Sequence, residues 1–169
     1  MSRDQLESVL GLHFRNRQLL EQALVHSSFV NENGWSPSAS YERMEYLGDA
    51  VLGLVISDEL YRRYPDLPEG DLTKSRSALG RRETLSPVAQ RAHLGDFICL
   101  GKGEEASGGR HRDSILAAVM ESIIAAVYLD SNYPEAKQFI LRIMAEELEE
   151  FFSAGLVEEN PKSHLQELV

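Results

Sequence analysis

The sequence predicts an all-α protein, and three observations support that fold class. Apolar residues recur at helical spacing through several long segments. No segment alternates apolar and polar residues as a half-buried β-strand does, and the nearest candidate, residues 97–100, is too short to matter. Residues 115–129 are apolar or small on nearly every side, which predicts a helix buried at the centre of a bundle.

Composition indicates one soluble domain. The chain has 169 residues, of which 43% are hydrophobic and 26% are charged, so it can bury a core and is neither disordered nor membrane-embedded. No apolar run is long enough to span a bilayer, and the N-terminus lacks the apolar core of a signal peptide. The single cysteine excludes an internal disulfide. We therefore expect a cytoplasmic protein without membrane contact.

Two short helices are predicted ahead of residue 30. Residues 4–10 form a short amphipathic helix, and residues 17–26 form a second one for which Asn16 is the N-cap. His26 is interpreted as a helix-end histidine bonded to a nearby side chain, with a functional role as the alternative. Residues 31–40 are rich in Gly, Pro, Asn and Ser and are expected to form a loop.

A long helix is predicted for residues 41–64, because Pro65 cannot continue it. Gly48 and Gly53 lie inside this helix. Since an interior glycine costs about 1 kcal/mol of helix stability, each predicts the close approach of another backbone.

The rest of the chain adds four helices. Pro87 predicts a kink or a late start in the second of them. The glycine-rich residues 95–112 lack the Lys-Ser/Thr ending of a phosphate-binding loop and are expected to form a flexible connector near the functional site. The predicted helices span residues 69–79, 81–93, 113–130 and 134–152.

Three carboxylates share one face of the long helix. Glu42, Glu45 and Asp49 stand at positions i, i+3 and i+7, and most of their neighbours are apolar. Clustered negative charges repel one another and lose free energy when they lose water, so the cluster favours a bound cation. The alternative is a solvated helix start, where acids interact well with the helix dipole. That alternative suits Glu42 better than Asp49, which lies two turns in.

Glu121 is the one charge within the apolar stretch 115–129. It either pairs with a buried arginine or meets the face of Glu45 and Asp49 and shares a cation with it. Oxygen ligands without a Cys or His cluster suit Mg²⁺ or Mn²⁺ better than zinc. Such sites support phosphoryl chemistry. The net charge of −10 argues against a nucleic-acid partner unless cations neutralise some acids or a basic partner domain supplies the affinity.

The stretch YERMEYLGDAVL, residues 41–52, closely resembles the signature of the ribonuclease III family of double-strand-specific endoribonucleases. Further motifs on both sides of this stretch occur in the family's order and spacing, and the resemblance covers nearly the whole chain. They are LVHSSF (24–29), EGDLTKSRSAL (69–79), GKGEEASGG (101–109), RDSILA (112–117) and MESIIAAVYLD (120–130).

The resemblance implies an all-α endonuclease-domain bundle that acts as a homodimer on double-stranded RNA in RNA processing. Its cofactor would be Mg²⁺, for which Mn²⁺ can substitute, and its products would carry a 5′-phosphate and a 3′-hydroxyl. Residues 1–152 would form the endonuclease domain. Residues 153–169 look like the linker and first part of a double-stranded-RNA-binding domain, and the absence of the rest of that basic domain would account for the acidic charge.

The resemblance also assigns roles to six residues by position. The residues that would ligate metal and catalyse are Glu45, Asp49 and Glu121. Those that would contact substrate are Glu42 and Glu69, and the one at the dimer contact is Tyr46.

Ala118 departs from the family pattern, which places an acid three residues before the last glutamate. An alanine offers no oxygen, and Asp113 lies about 12 Å along the helix from Glu121 and is rotated away. We therefore expect weakened Mg²⁺ binding and severely reduced cleavage. The alternatives are that water fills the gap and activity survives, or that the chain is a non-catalytic RNA-binding or scaffold homodimer. Ser75 and Gly80 are lesser departures that would loosen one helix.

Overall fold

The computed structural model describes residues 2–154, and two long helices pack against each other at its centre. The other helices surround this pair, and the only strand-like feature of the described residues is one isolated bridge between Val25 and Cys99. The all-α fold class is confirmed. The α-helices are α1 (Arg3–Leu10), α2 (Arg17–Gln22), α3 (Ser27–Glu32), α4 (Glu42–Arg63), α5 (Glu69–Gly80), α6 (Arg82–Arg91), α7 (Lys102–Ala106), α8 (Asp113–Asp130), α9 (Tyr133–Ile143) and α10 (Ala145–Ser153).

The backbones of α4 and α8 touch at Gly48. A Cβ atom built on Gly48 would lie 1.7 Å from the carbonyl oxygen of Glu121, far inside any permitted contact. The close approach predicted at this glycine is therefore confirmed. The same prediction was wrong at Gly53, where an added Cβ atom would meet no other segment within 4 Å. Helix α8 is buried over nearly its whole length, as its all-round apolar sequence predicted.

The segment between α2 and α4 differs from the prediction. Helix α2 ends at Gln22 rather than at His26, because the next residues bond to a distant segment: Cys99 donates to the carbonyl of Leu24 at 2.8 Å, and His26 donates to that of Cys99 at 3.0 Å. His26 then caps α3, which extends into the predicted loop. A 3₁₀ turn at Pro37–Ala39 occupies more of that loop.

Residues 95–112 are ordered rather than the flexible connector predicted. They contain α7 and two 3₁₀ turns. The carboxylate of Glu32 accepts the backbone N–H groups of Lys102 and Gly103, at 2.9 and 3.3 Å, and so caps α7. The guanidinium of Arg110 donates to the carbonyls of Gly95 and Ile98 at 2.9 and 2.8 Å. These contacts join distant residues, which sequence spacing does not reveal.

Two helix boundaries after α5 also differ. Helix α6 begins at Arg82, ahead of Pro87, so the late start was wrong. The single helix predicted for residues 134–152 is divided at Met144 into α9 and α10. Helix α5 extends to Gly80, one residue beyond its predicted end. Of the predicted linker 153–169, residues 155–169 lie outside the described residues.

No helix of the described residues has the length and apolar character needed to cross a membrane.

Gly48→Ala should be strongly destabilising. The added methyl group overlaps a backbone carbonyl that cannot rotate away, so α4 and α8 must separate, and we expect a loss of at least about 3 kcal/mol in urea unfolding. Gly53→Ala is the matched control on the same helix. With open space around it, that change should gain about 0.5–1 kcal/mol from better helix propensity. Equal effects at the two glycines would contradict the assigned contact.

Candidate metal centre

Acidic side chains from α4 and α8 meet beside the Gly48 contact. Glu45 and Asp49 flank Gly48 on α4, and the backbone of Glu121 rests against that glycine. Among the described residues Glu121 forms no ion pair, so the buried-arginine alternative is not supported. The structure therefore brings together the carboxylates from the two helices that the sequence singled out.

Burial and mutual repulsion shift the protonation of these acids. Burial raises the pKa of Glu121 to about 8, and the negative charges of Asp49 and Glu45 contribute to that rise. Burial also raises the pKa of Glu45, with further contributions from Glu42 and Asp49. Without a cation, the Glu121 carboxyl is mostly protonated at neutral pH.

The donor set fits a hard divalent cation. It consists of carboxylate oxygens only, which suits Mg²⁺ or Mn²⁺. Within residues 2–154, no three Asp, Glu, His or Cys side chains are already arranged to hold a metal ion. The side chains would therefore have to rotate towards an ion in order to bind it.

Ala118 lies on the same stripe of α8 as Glu121. Ser114, Ala118 and Glu121 occupy positions i, i+4 and i+7, and the first and last are partly exposed. Ala118 itself is 7% exposed and presents only a methyl group. Asp113 cannot replace a missing acid, because its carboxylate accepts hydrogen bonds from the Ser86 hydroxyl at 2.6 Å and the Gln90 amide at 3.2 Å.

The two residues expected to contact substrate lie in different places. Glu42 is exposed on the first turn of α4 and adds negative charge beside Glu45. Glu69 begins α5 and accepts a hydrogen bond from the Thr73 hydroxyl at 2.7 Å. It lines a cavity of about 400 Å³ with Leu54, and that cavity is not lined by Glu42, Glu45, Asp49 or Glu121. Within one chain, the structure does not place Glu69 with the cluster.

Tyr46 belongs to an exposed apolar stripe along α4. It is 81% exposed, and Leu54 and Tyr61, on the same face of the helix, are 56% and 73% exposed. Large apolar side chains exposed in one row are typical of a protein–protein contact.

One acid near Tyr41 and His26 is not marked by any spacing in the sequence. Glu104 of α7 forms an ion pair with Arg112. Its negative charge also acts to raise the pKa of Tyr41 and that of His26. Its position depends on the long-range cap by Glu32, so spacing could not reveal it. His26 is a helix cap bonded to Ser28, as its structural interpretation predicted.

Glu121→Gln should stabilise the metal-free protein at alkaline pH. Between an ordinary pKa of 4.5 and the folded pKa of about 8, the folded protein keeps a proton that the unfolded chain has lost. Its free energy of unfolding therefore falls as pH rises through this window, and glutamine removes the loss. In EDTA at pH 9 we expect the free energy of unfolding to rise by on the order of 2 kcal/mol. This is less than the free energy equivalent to the full pKa difference, because the group is partly exposed.

Urea unfolding at pH 5 and pH 9 measures this effect. Only a small part of the gain is expected at pH 5, where both folded variants are neutral at this position and the unfolded chain has only begun to lose the Glu121 proton. Glu149→Gln, which removes the same charge from an exposed site, is the control. An equal gain at both pH values would contradict the assignment.

Comparison with known proteins places this geometry in a family. The model of the Ribonuclease-III-like family matches residues 16–148. Ribonuclease 3 of Dehalococcoides mccartyi is 48% identical over 167 residues, which cover 98% of this chain and 69% of that protein. Ribonuclease 3 of Enterococcus faecalis is 43% identical over 165 residues, which cover 98% of this chain and 71% of that protein.

Solved structures agree with the sequence matches. The nuclease domain of ribonuclease III from Campylobacter jejuni superposes with a TM-score of 0.79 at 37% identity, covering 86% of this chain and 95% of that one. A second structure of that domain, with a TM-score of 0.80 at 37% identity, covers 86% of this chain and 97% of that one and is described as flexible in the region involved in dimer formation. Dicer from Pichia stipitis, at 24% identity and a TM-score of 0.61, shares the fold. With its acids meeting across α4 and α8, this chain belongs to the ribonuclease III family.

Proposed function

We propose that this protein is a Mg²⁺-dependent endoribonuclease that cleaves double-stranded RNA, with activity impaired by Ala118. The observation that carries the proposal is the Gly48 contact, which brings Glu45 and Asp49 on one helix beside Glu121 on another. Membership of the ribonuclease III family supports the substrate class. RNA processing in the cytoplasm is the corresponding cellular role.

The acids of the site would act by binding and orienting the cation. A divalent ion supplies an activated water and neutralises the charge that develops on the leaving oxygen of a phosphodiester. Glu45, Asp49 and Glu121 would hold it, and Glu121 would lose its proton as it binds. Mn²⁺ should replace Mg²⁺ because it accepts the same oxygen ligands.

Ala118 favours a second candidate function. With one ligand absent beside Glu121, a chain that still binds RNA would act as a non-catalytic double-stranded-RNA-binding or scaffold homodimer. The three acids that remain beside Gly48 favour the enzyme, because a scaffold gains nothing from repelling carboxylates.

The assembly in this proposal is a homodimer formed through the exposed stripe of Tyr46, Leu54 and Tyr61. Glu42 and Glu69 would lie near the scissile RNA strand. Residues 1–152 would form the endonuclease domain, and residues 153–169 would lead towards a double-stranded-RNA-binding domain.

Ala118→Asp should raise cleavage of duplex RNA. A ligand to a cation that stabilises developing charge contributes several kcal/mol, so we expect kcat/KM with Mg²⁺ to rise at least about 100-fold. Ala118→Asn is the matched control, since it has nearly the same shape but no charge. If Ala118→Asp binds duplex RNA in a mobility-shift assay and still does not cut it, the enzyme proposal fails and the scaffold candidate gains support.

Truncating the exposed stripe should weaken the dimer. The double variant Tyr46→Ala, Leu54→Ala removes two large apolar side chains, and we expect the dimer Kd to rise at least about tenfold in sedimentation equilibrium. Leu129→Ala, which truncates an exposed leucine of α8, is the control and should leave the Kd unchanged. An unchanged Kd in the double variant would place the dimer contact elsewhere.

A further inference from the structure

Tyr41 is a rigid residue at the start of the carboxylate-bearing helix. It is only 4% exposed, and its ring meets that of His26 edge to face, with centroids 5.7 Å apart. Its backbone is fixed at both ends, because its N–H donates to Val25 at 2.8 Å and its carbonyl accepts from the Glu45 N–H at 2.8 Å. The direction of its hydroxyl is therefore set by the fold.

The imidazole ring of His26, against which Tyr41 packs, is also held in place. The Nδ1 atom of His26 accepts the backbone N–H of Ser28 at 3.1 Å, so its proton lies on Nε2. The Ser28 hydroxyl donates to the same Nδ1 at 2.7 Å and accepts the N–H of Gly101 at 2.9 Å. A chain of hydrogen bonds from residues 99–101 to α3 thus holds the surface on which Tyr41 packs.

The hydroxyl of Tyr41 has no hydrogen-bond partner among residues 2–154. Burial raises its pKa, and the negative charges of Glu45, Glu42 and Glu104 raise it further, so it remains a donor. Residues four apart on a helix are neighbours on its surface, which makes Glu45 the nearest acid along α4. Glu42 follows Tyr41 directly and points about 100° around the helix axis.

A carboxylate that ligates a metal with one oxygen commonly accepts a hydrogen bond on the other, which fixes its orientation. We propose that Tyr41 is a positioning residue whose hydroxyl donates to the carboxylate of Glu45 and turns that carboxylate towards the divalent ion. This inference rests on the proposed function, because it requires Glu45 to be a metal ligand. It assigns a purpose to a solvent-accessible hydroxyl on a ring that is otherwise packed in the core.

Tyr41→Phe tests the proposal because it removes the hydroxyl and keeps the packed ring. Mn²⁺ binding would be titrated by electron paramagnetic resonance in the unmodified chain and in Ala118→Asp. We expect Tyr41→Phe to weaken Mn²⁺ binding at least about tenfold in either background. A purely structural role would instead lower the metal-free Tm and leave the Mn²⁺ affinity unchanged.

Tyr64→Phe is the matched control. It removes a phenol hydroxyl from a partly buried tyrosine that packs on Phe152, about 28 Å along α4 from Glu45, and it should leave the affinity unchanged. Unchanged Mn²⁺ affinity in Tyr41→Phe overturns the inference and leaves the metal site standing. Absence of Mn²⁺ binding in both parent chains overturns the proposed metal site itself.

Discussion

The contact between Gly48 and the backbone of Glu121 is the constraint on which the site depends. It lets the backbones of α4 and α8 approach closely, since only a residue without a side chain fits there. The same contact brings Glu121 beside Glu45 and Asp49, and the loss of water raises the pKa of Glu121. The packing of α4 on α8 therefore forms part of both the core and the candidate metal centre, so a change at this contact affects both.

Much of the fold could be predicted because it follows from local patterns. The spacing of apolar residues predicted α4, α5 and α8 to within a residue or two of their ends. The misplaced boundaries have non-local causes. Helix α2 stops early because residues 24–26 bond to Cys99, and residues 95–112 are ordered because Glu32 and Arg110 tie them to distant backbone groups. Hydrogen bonds between remote segments leave no periodic trace in a sequence.

The candidate site was predictable to a similar extent and for a related reason. Helical spacing grouped Glu45 with Asp49, and the isolation of one charge in an apolar helix marked Glu121. Sequence reasoning did not single out Glu104, whose charge acts on Tyr41 from a separate short helix. It grouped Glu69 with the site only through family resemblance, and within one chain that residue lies elsewhere. Side chains on one helix can be related by counting, whereas side chains on different helices depend on how those helices pack.

Ala118 has a consequence for the protein's energetics as well as for its chemistry. An acid at this buried position would add a repelling charge to a cluster that already raises the pKa of two members. Alanine removes that repulsion and has the highest helix propensity of any residue. Under the proposed function, the chain would give up a ligand oxygen and gain stability in the ion-free state, a trade between stability and activity. Its folded state would then depend less on a bound cation than that of a protein with an acid at this position.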